Sequence, residues 1–203
     1  LFVDEAHHIS AKSWLAIRER FLGRKVVQFT ATPFRNDKKA LGGRIIYNYT
    51  MGEAQRAGYF TQVKLIPVEE YYEDNADESI AIKAIETLRR DLDEGHDHLM
   101  MARVKSKLRA EALIQVYQRL APDLDPIVVH SDYTKTLVSE RLNRLVGRQS
   151  KIVVCVDMLG EGYDLANLKI AALHDHHKSL AITLQFIGRF TRVSHEESLG
   201  QAS

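Results

Sequence analysis

The sequence predicts an α/β protein with a parallel sheet flanked by helices, and three observations predict it. Short apolar runs such as Leu1-Phe2-Val3, Ile127-Val128-Val129 and Ile152-Val153-Val154-Cys155-Val156 read as strands buried on both faces. Stretches with apolar residues at helical spacing separate them. Polar and glycine residues gather just after the runs, at the carboxyl ends of the strands, where open α/β sheets carry their ligands.

Taken in order, Leu1-Phe2-Val3 ends on the acid pair Asp4-Glu5. Ser10 is placed to cap a helix to about Phe21, with Trp14, Leu15, Ile17 and Leu22 on its apolar face and Gly23 after it. A second strand over 25–32 closes on Thr30-Ala31-Thr32-Pro33, a polar corner stiffened by proline. Residues 34–61 read as a connector holding Gly42-Gly43, the apolar piece Ile45-Ile46-Tyr47 and a brief helix capped by Thr50 and ended at Gly58.

Beyond it, strands are expected at 63–72 (edge-like, because Pro67 interrupts it), 99–104, 127–130, 152–156 and 170–173. Helices are expected at 77–92, 106–120 and 136–146, with a final one starting at Ser179. The span 62–203 is long enough to bury its own core. Residues 1–61 offer two strands and one helix, too few to close an α/β core, and the chain opens with Leu1 in mid-strand. A piece of a longer protein is therefore expected.

The composition, 45% hydrophobic and 27% charged, is that of a globular protein, and no apolar run approaches the length of a membrane span. No membrane association is expected. A net charge of +1 provides no global attraction for nucleic acid, so binding must come from local patches. The lone Cys155 lies in an apolar run and reads as a small core residue, which fits a reducing, cytoplasmic setting.

Four stretches carry chemistry. Asp4 and Glu5 point different ways on a strand end, so one can bind a hard cation and the other can orient a water; alone, the pair could equally be a solvated strand end. Thr30-Ala31-Thr32 alone is an ordinary strand exit. In the loop 157–164, Gly160 and Gly162 permit close backbone approach and Asp164 can accept hydrogen bonds from a ribose or an arginine. Gln185, Arg189 and Arg192 fall at i, i+4 and i+7 on one helix face, suited to a phosphate anion or, more plainly, to a solvated basic face. His174-Asp175-His176-His177 reads as a polar strand end in preference to a metal site, since no spaced partners accompany it.

In this order the four stretches resemble the superfamily II helicases and translocases of DEAH type. Asp4-Glu5-Ala6-His7 is similar to motif II, Thr30-Ala31-Thr32 to motif III, the loop 160–164 to motif V and Gln185 to Arg192, as Q-x-x-G-R-x-x-R, to motif VI. The resemblance implies two RecA-like domains of P-loop NTPase type, with 1–61 the C-terminal part of the first plus a linker and 62–203 the second. It implies ATP and Mg²⁺ as cofactors, with Asp4 holding the metal through water, Glu5 activating the attacking water and His7 coupling the nucleotide site to motifs III and VI. Arg189 and Arg192 would act as arginine fingers beside Gln185, Gly162 and Asp164 would complete the nucleotide site, and Thr30 and Thr32 would link hydrolysis to domain movement.

Arg103, Lys105 and Ser106 stand in the place of motif IV, and with Ser131 they are the expected nucleic-acid ligands. Val156, Glu161 and Phe186 depart from the DEAD-box RNA branch, and Thr30-Ala31-Thr32-Pro33-Phe34-Arg35 is similar to the restriction-enzyme motor subunits and repair-type DNA helicases. DNA is the partner this implies. No G-x-x-x-x-G-K-[ST] loop occurs in the chain, so its expected partner is the missing N-terminal part of its own first domain. The alternative is a non-catalytic RecA-like module that binds nucleic acid or a protein. A phosphate loop encoded upstream would separate the two.

Overall fold

The computed structural model describes residues 1–4, 6, 16–17, 19–21, 23–30, 44–59, 63–156, 165 and 167–175. They belong to two compact units, one within Leu1–Tyr49 and one beginning at Thr50. The sequence expectations for the final helix, the loop 157–164 and most of the helix after Ser10 lie outside the described residues.

In the first unit, β1 (Phe2–Val3) pairs in parallel with β2 (Val27–Gln28). The ladder continues past both strands, with Phe29 N–H donating to Val3 O at 2.8 Å and Ala6 N–H to Phe29 O at 2.9 Å. Val3 and Ala6 are buried, and Leu1 and Val26 pack on them. Ile45, Ile46 and Tyr47, read as a short apolar piece, carry no regular structure and are exposed.

The second unit opens with α1 (Met51–Arg56), nucleated by the capping box that Thr50 and Glu53 form. Gly58 follows at φ 78°, a left-handed turn that only glycine enters without strain. The strand expected over 63–72 is not formed beyond a bridge at Val63. Pro67 removes a ladder donor, and Glu70 turns its carboxylate onto Tyr72 N–H (3.0 Å) and the Ser79 hydroxyl (2.8 Å), which starts α2 instead. Helix α2 (Glu73–Asp93) therefore begins four residues before the expected Asp77, and its N-cap Tyr72 supplies no side-chain cap that a reading of cap residues would detect.

Next come β3 (Leu99–Val104), α3 (Lys107–Leu120), a 3₁₀ turn (Pro122–Leu124), β4 (Ile127–Val129), α4 (Lys135–Val146), β5 (Ile152–Val156) and β6 (Leu168–Leu173). Ser106 and Thr134 cap α3 and α4 by accepting from Arg109 N–H and Leu137 N–H, each at 3.3 Å. The four strands form a parallel sheet in the order β4-β5-β3-β6. Each change of neighbour requires a crossover, which is why helices alternate with strands in the chain.

Period-2 alternation divides the sheet residues between two cores. Met100, Ala102, Val104, Ile152 and Val154 face α2 and α3 through Leu88, Leu113, Ile114 and Tyr117. Leu99, Met101, Val153 and Cys155 face α4 through Val138, Leu142 and Leu145. Each fully buried Leu or Ile contributes about 1.5–3 kcal/mol, so both faces are needed to hold the layers together. Cys155 is buried as expected, and burial pushes its thiol up to about 12.

Strand β6 begins two residues before the expected Ile170. Leu99 pairs with Leu168 but Met100 pairs with Ile170, so Lys169 is an extra residue bulged out of register. A lysine between two apolar residues hides the start of the strand from pattern reading.

Candidate functional site

Because all four strands of the second sheet run parallel, their carboxyl ends share one edge. The segments that begin at Lys105, His130 and His174 all start there. Lys105 is exposed; its backbone N–H donates to Asp175 Oδ2 at 2.7 Å and its ammonium lies 3.7 Å from Asp175 Oδ1. Ser106 is half-buried as the α3 cap, and Ser131 is exposed beside His130. Lys107 forms an ion pair with Asp132, tying the segment after β3 to the one after β4. Arg103 sits one layer deeper, 9% exposed within β3, in register with Cys155 and Leu173, and burial pulls its guanidinium below its ordinary pKa.

The structure thus brings Lys105, Ser106 and Ser131 to one edge and keeps Arg103 inside it. Two helix N-termini, of α3 and α4, open at that edge, and neither carries an acidic residue in its first turn. Capped by the neutral hydroxyls of Ser106 and Thr134, the positive ends of two helices make the edge attractive to anions.

Behind the edge lies a polar network that no local pattern announces. Asp77 of α2 accepts from Arg109 of α3 through both oxygens (2.5 and 2.9 Å) and from His174 Nδ1 at 3.0 Å. His174 Nε2 meets the buried Tyr117 hydroxyl at 2.9 Å. Arg109 also approaches Asp175 to 3.6 Å. Burial raises the Asp77 carboxyl, but the Arg109 and His174 hydrogen bonds outweigh it and hold it below the usual carboxylate range. Burial pulls the His174 imidazole down against the pull of Asp77. With both ring nitrogens engaged, His174 serves the strand end as a structural group.

A second cluster surrounds Tyr133. Its ring stacks on His130 at 4.1 Å between centroids and lies under the Arg141 guanidinium at 4.2 Å. Glu111 accepts from the Tyr133 hydroxyl and meets His130 Nε2 at 2.7 Å; these hydrogen bonds, Tyr133 first, hold its carboxyl low.

In the first unit, Asp4 stands at the carboxyl end of β1 and is exposed, and Thr30 follows β2 on the neighbouring strand. An exposed carboxylate at a strand end fits a hard, water-clad cation such as Mg²⁺. Among the described residues no group of three or more His, Cys, Asp or Glu is placed to hold a metal ion directly. Glu5, His7, Thr32, Gly162, Asp164, Gln185, Arg189 and Arg192 lie outside the described residues. A shallow groove of about 360 Å³ between Pro67-Val68 and Ser79, Ile82, Lys83 and Glu86 contains none of the candidate residues. No described helix is long and apolar enough to cross a membrane.

Residues 81–194 match the helicase conserved C-terminal domain family, and residues 1–35 match the type III restriction enzyme res subunit family. Dbp5 of S. cerevisiae, bound to RNA and ADP BeF3, is similar with a TM-score of 0.62 at 16% identity, over 93% of this chain and 49% of that one. A fragment described as an HsdR subunit of a type I restriction enzyme from Vibrio vulnificus YJ016 has a TM-score of 0.64 at 19% identity, over 91% of this chain and 40% of that one. The Mycobacterium smegmatis helicase Lhr, bound to ssDNA and AMP-PNP, has a TM-score of 0.58 at 17% identity, over 93% of this chain and 26% of that one. At these identities the likeness establishes the fold. The chain spans half or less of the length of each of these structures. No curated protein matches it by sequence.

Proposed function

We propose, from the premise that this chain belongs to the helicase conserved C-terminal domain family, that it is the motif II to motif VI portion of an ATP-driven superfamily II motor acting on nucleic acid, DNA in particular. The observation that carries this is the agreement in order: the res subunit match at 1–35 encloses the acid pair, and the helicase match at 81–194 encloses Gln185, Arg189 and Arg192. The departures at Val156, Glu161 and Phe186 from the RNA branch support DNA as the substrate.

In this reading Asp4 holds Mg²⁺ through water and Glu5 takes the proton of the attacking water. When bound, the metal would neutralise charge on the nucleotide's phosphates. His7, Thr30 and Thr32 couple that site to the rest of the motor, and Gly162 and Asp164 approach the nucleotide from the second domain. Gln185, Arg189 and Arg192 meet the charge that develops on the γ-phosphate; arginines in such positions contribute about 10³ to 10⁵ in rate where measured. Lys105, Ser106 and Ser131 grip the phosphate backbone at the anion-attracting edge, and Arg103 stiffens the strand beneath them.

Fluorescence anisotropy with a labelled single strand tests the second-domain half. Reversing Lys105 to Glu should weaken binding at least tenfold and flatten the dependence of log K on log salt by about one unit for each phosphate no longer neutralised. Unchanged affinity and slope would remove this edge from the reading. Parallel titrations with DNA and RNA of one sequence decide the substrate.

A further inference from the structure

At the opposite edge of the same sheet, the bulge in β6 creates a buried cluster that nucleotide and nucleic-acid chemistry leave unused. His98, 1% exposed, precedes β3, and Lys169, also 1% exposed, is the extra residue of the bulge beside it. His98 Nδ1 meets Asp91 Oδ2 of α2 at 2.9 Å, and Arg90 holds the other oxygen of that carboxylate at 2.9 Å. His96 stacks on His98 at 5.0 Å and carries Glu94 at 3.8 Å from its Nε2. Asn167 locks the entry of β6 by donating to Asp97 O at 2.8 Å while its own carbonyl accepts from Leu99 N–H at 2.8 Å. The Nε2 atom of His98 is buried and has no hydrogen-bond partner.

We propose that His98 and Asp91, with Lys169 beside them, form a pH-sensitive latch that holds the start of β3 against α2 near neutral pH and loosens on acidification. Asp91 fixes the neutral ring as the Nδ1–H tautomer, leaving the bare Nε2 lone pair inside the protein, where it costs less than an N–H with no acceptor. A second proton would place that N–H in the interior and a positive charge beside the Lys169 ammonium. Burial, together with Lys169 and His96, outweighs the pull of Asp91 and keeps the folded ring below its ordinary value. The unfolded chain then binds the proton more readily, so the stabilisation is complete above about pH 6.5 and is lost as pH falls through the folded value.

Imidazole ¹H–¹⁵N NMR on the 203-residue chain reads the latch directly. His98 should titrate below about 6.5 and remain the Nδ1–H tautomer until it does, and Lys169→Met should move its midpoint upward. A midpoint at or above that value, the opposite tautomer, or no movement with Lys169→Met overturns the proposal. Urea unfolding at pH 7.5 and 5.5 supplies a second readout. The midpoint should fall between these pH values in the wild type and fall less in His98→Gln; equal falls overturn the proposal. His174, also held low by burial, is present in both proteins, so its contribution cancels in the difference. Should either variant not fold, the wild-type midpoint and tautomer decide.

Discussion

Replacing Asp77 by Ala removes the acceptor of three hydrogen bonds at once, two from Arg109 and one from His174. At about 1 kcal/mol each, these sum to about 3 kcal/mol. The Asp77 side chain is 25% exposed and that of Arg109 35%, so water screens part of the charge interaction. We therefore expect a loss of about 2 kcal/mol. For a chain of this size that corresponds to a drop in Tm of about 4–8 °C. Urea unfolding followed by circular dichroism at pH 7 measures it, and the double variant with Tyr117→Phe tests coupling through His174. Because the Asp77 carboxyl lies below its ordinary value, its stabilisation is present above about pH 3.9 and lost as pH falls through the folded value. The gap between wild type and variant must therefore close in acid. A loss under about 0.5 kcal/mol at pH 7, within the range of ordinary surface substitutions, or a gap that widens in acid, would refute the account of the network.

Two further expectations are smaller in scope. Gly95, at φ 87° after α2, has open space around its missing Cβ, so Gly95→Ala should cost about 1–2 kcal/mol from backbone strain alone, measurable by the same urea curves. Cys155, buried and with its thiol pushed up to about 12, should not react with a thiol reagent at pH 8 until the chain is unfolded.

The parts of the fold that could be read in advance were those whose signals are local. β3 and β5 have the expected bounds because β5 is an uninterrupted apolar run and β3 an apolar run broken only by Arg103, both buried on both faces. α3 starts where Ser106 offers a hydroxyl to the first turn, and α4 begins at Lys135, one residue before the expected 136, behind the Thr134 cap. The misses have physical causes of the same kind. α2 begins without a side-chain cap of its own, the expected strand over 63–72 loses its N–H at Pro67, and a bulged Lys169 masks the entry to β6.

At the candidate edge, Lys105, Ser106 and Ser131 were legible because each follows a recognisable strand. Asp77, Arg109, Tyr117 and His174 were not, because their partners lie 32, 57 and 97 residues apart and meet only once α2, α3 and β6 are packed. An ion pair formed by tertiary packing leaves no periodicity to read.

The most direct test of the motor reading is steady-state ATP hydrolysis, with and without nucleic acid, by the complete gene product carrying Glu5→Gln, read beside binding of a fluorescent ATP analogue. The account predicts that nucleotide binding persists while turnover falls by at least about 10²-fold, the lower range for a lost general base. Turnover close to wild type in that variant would contradict it.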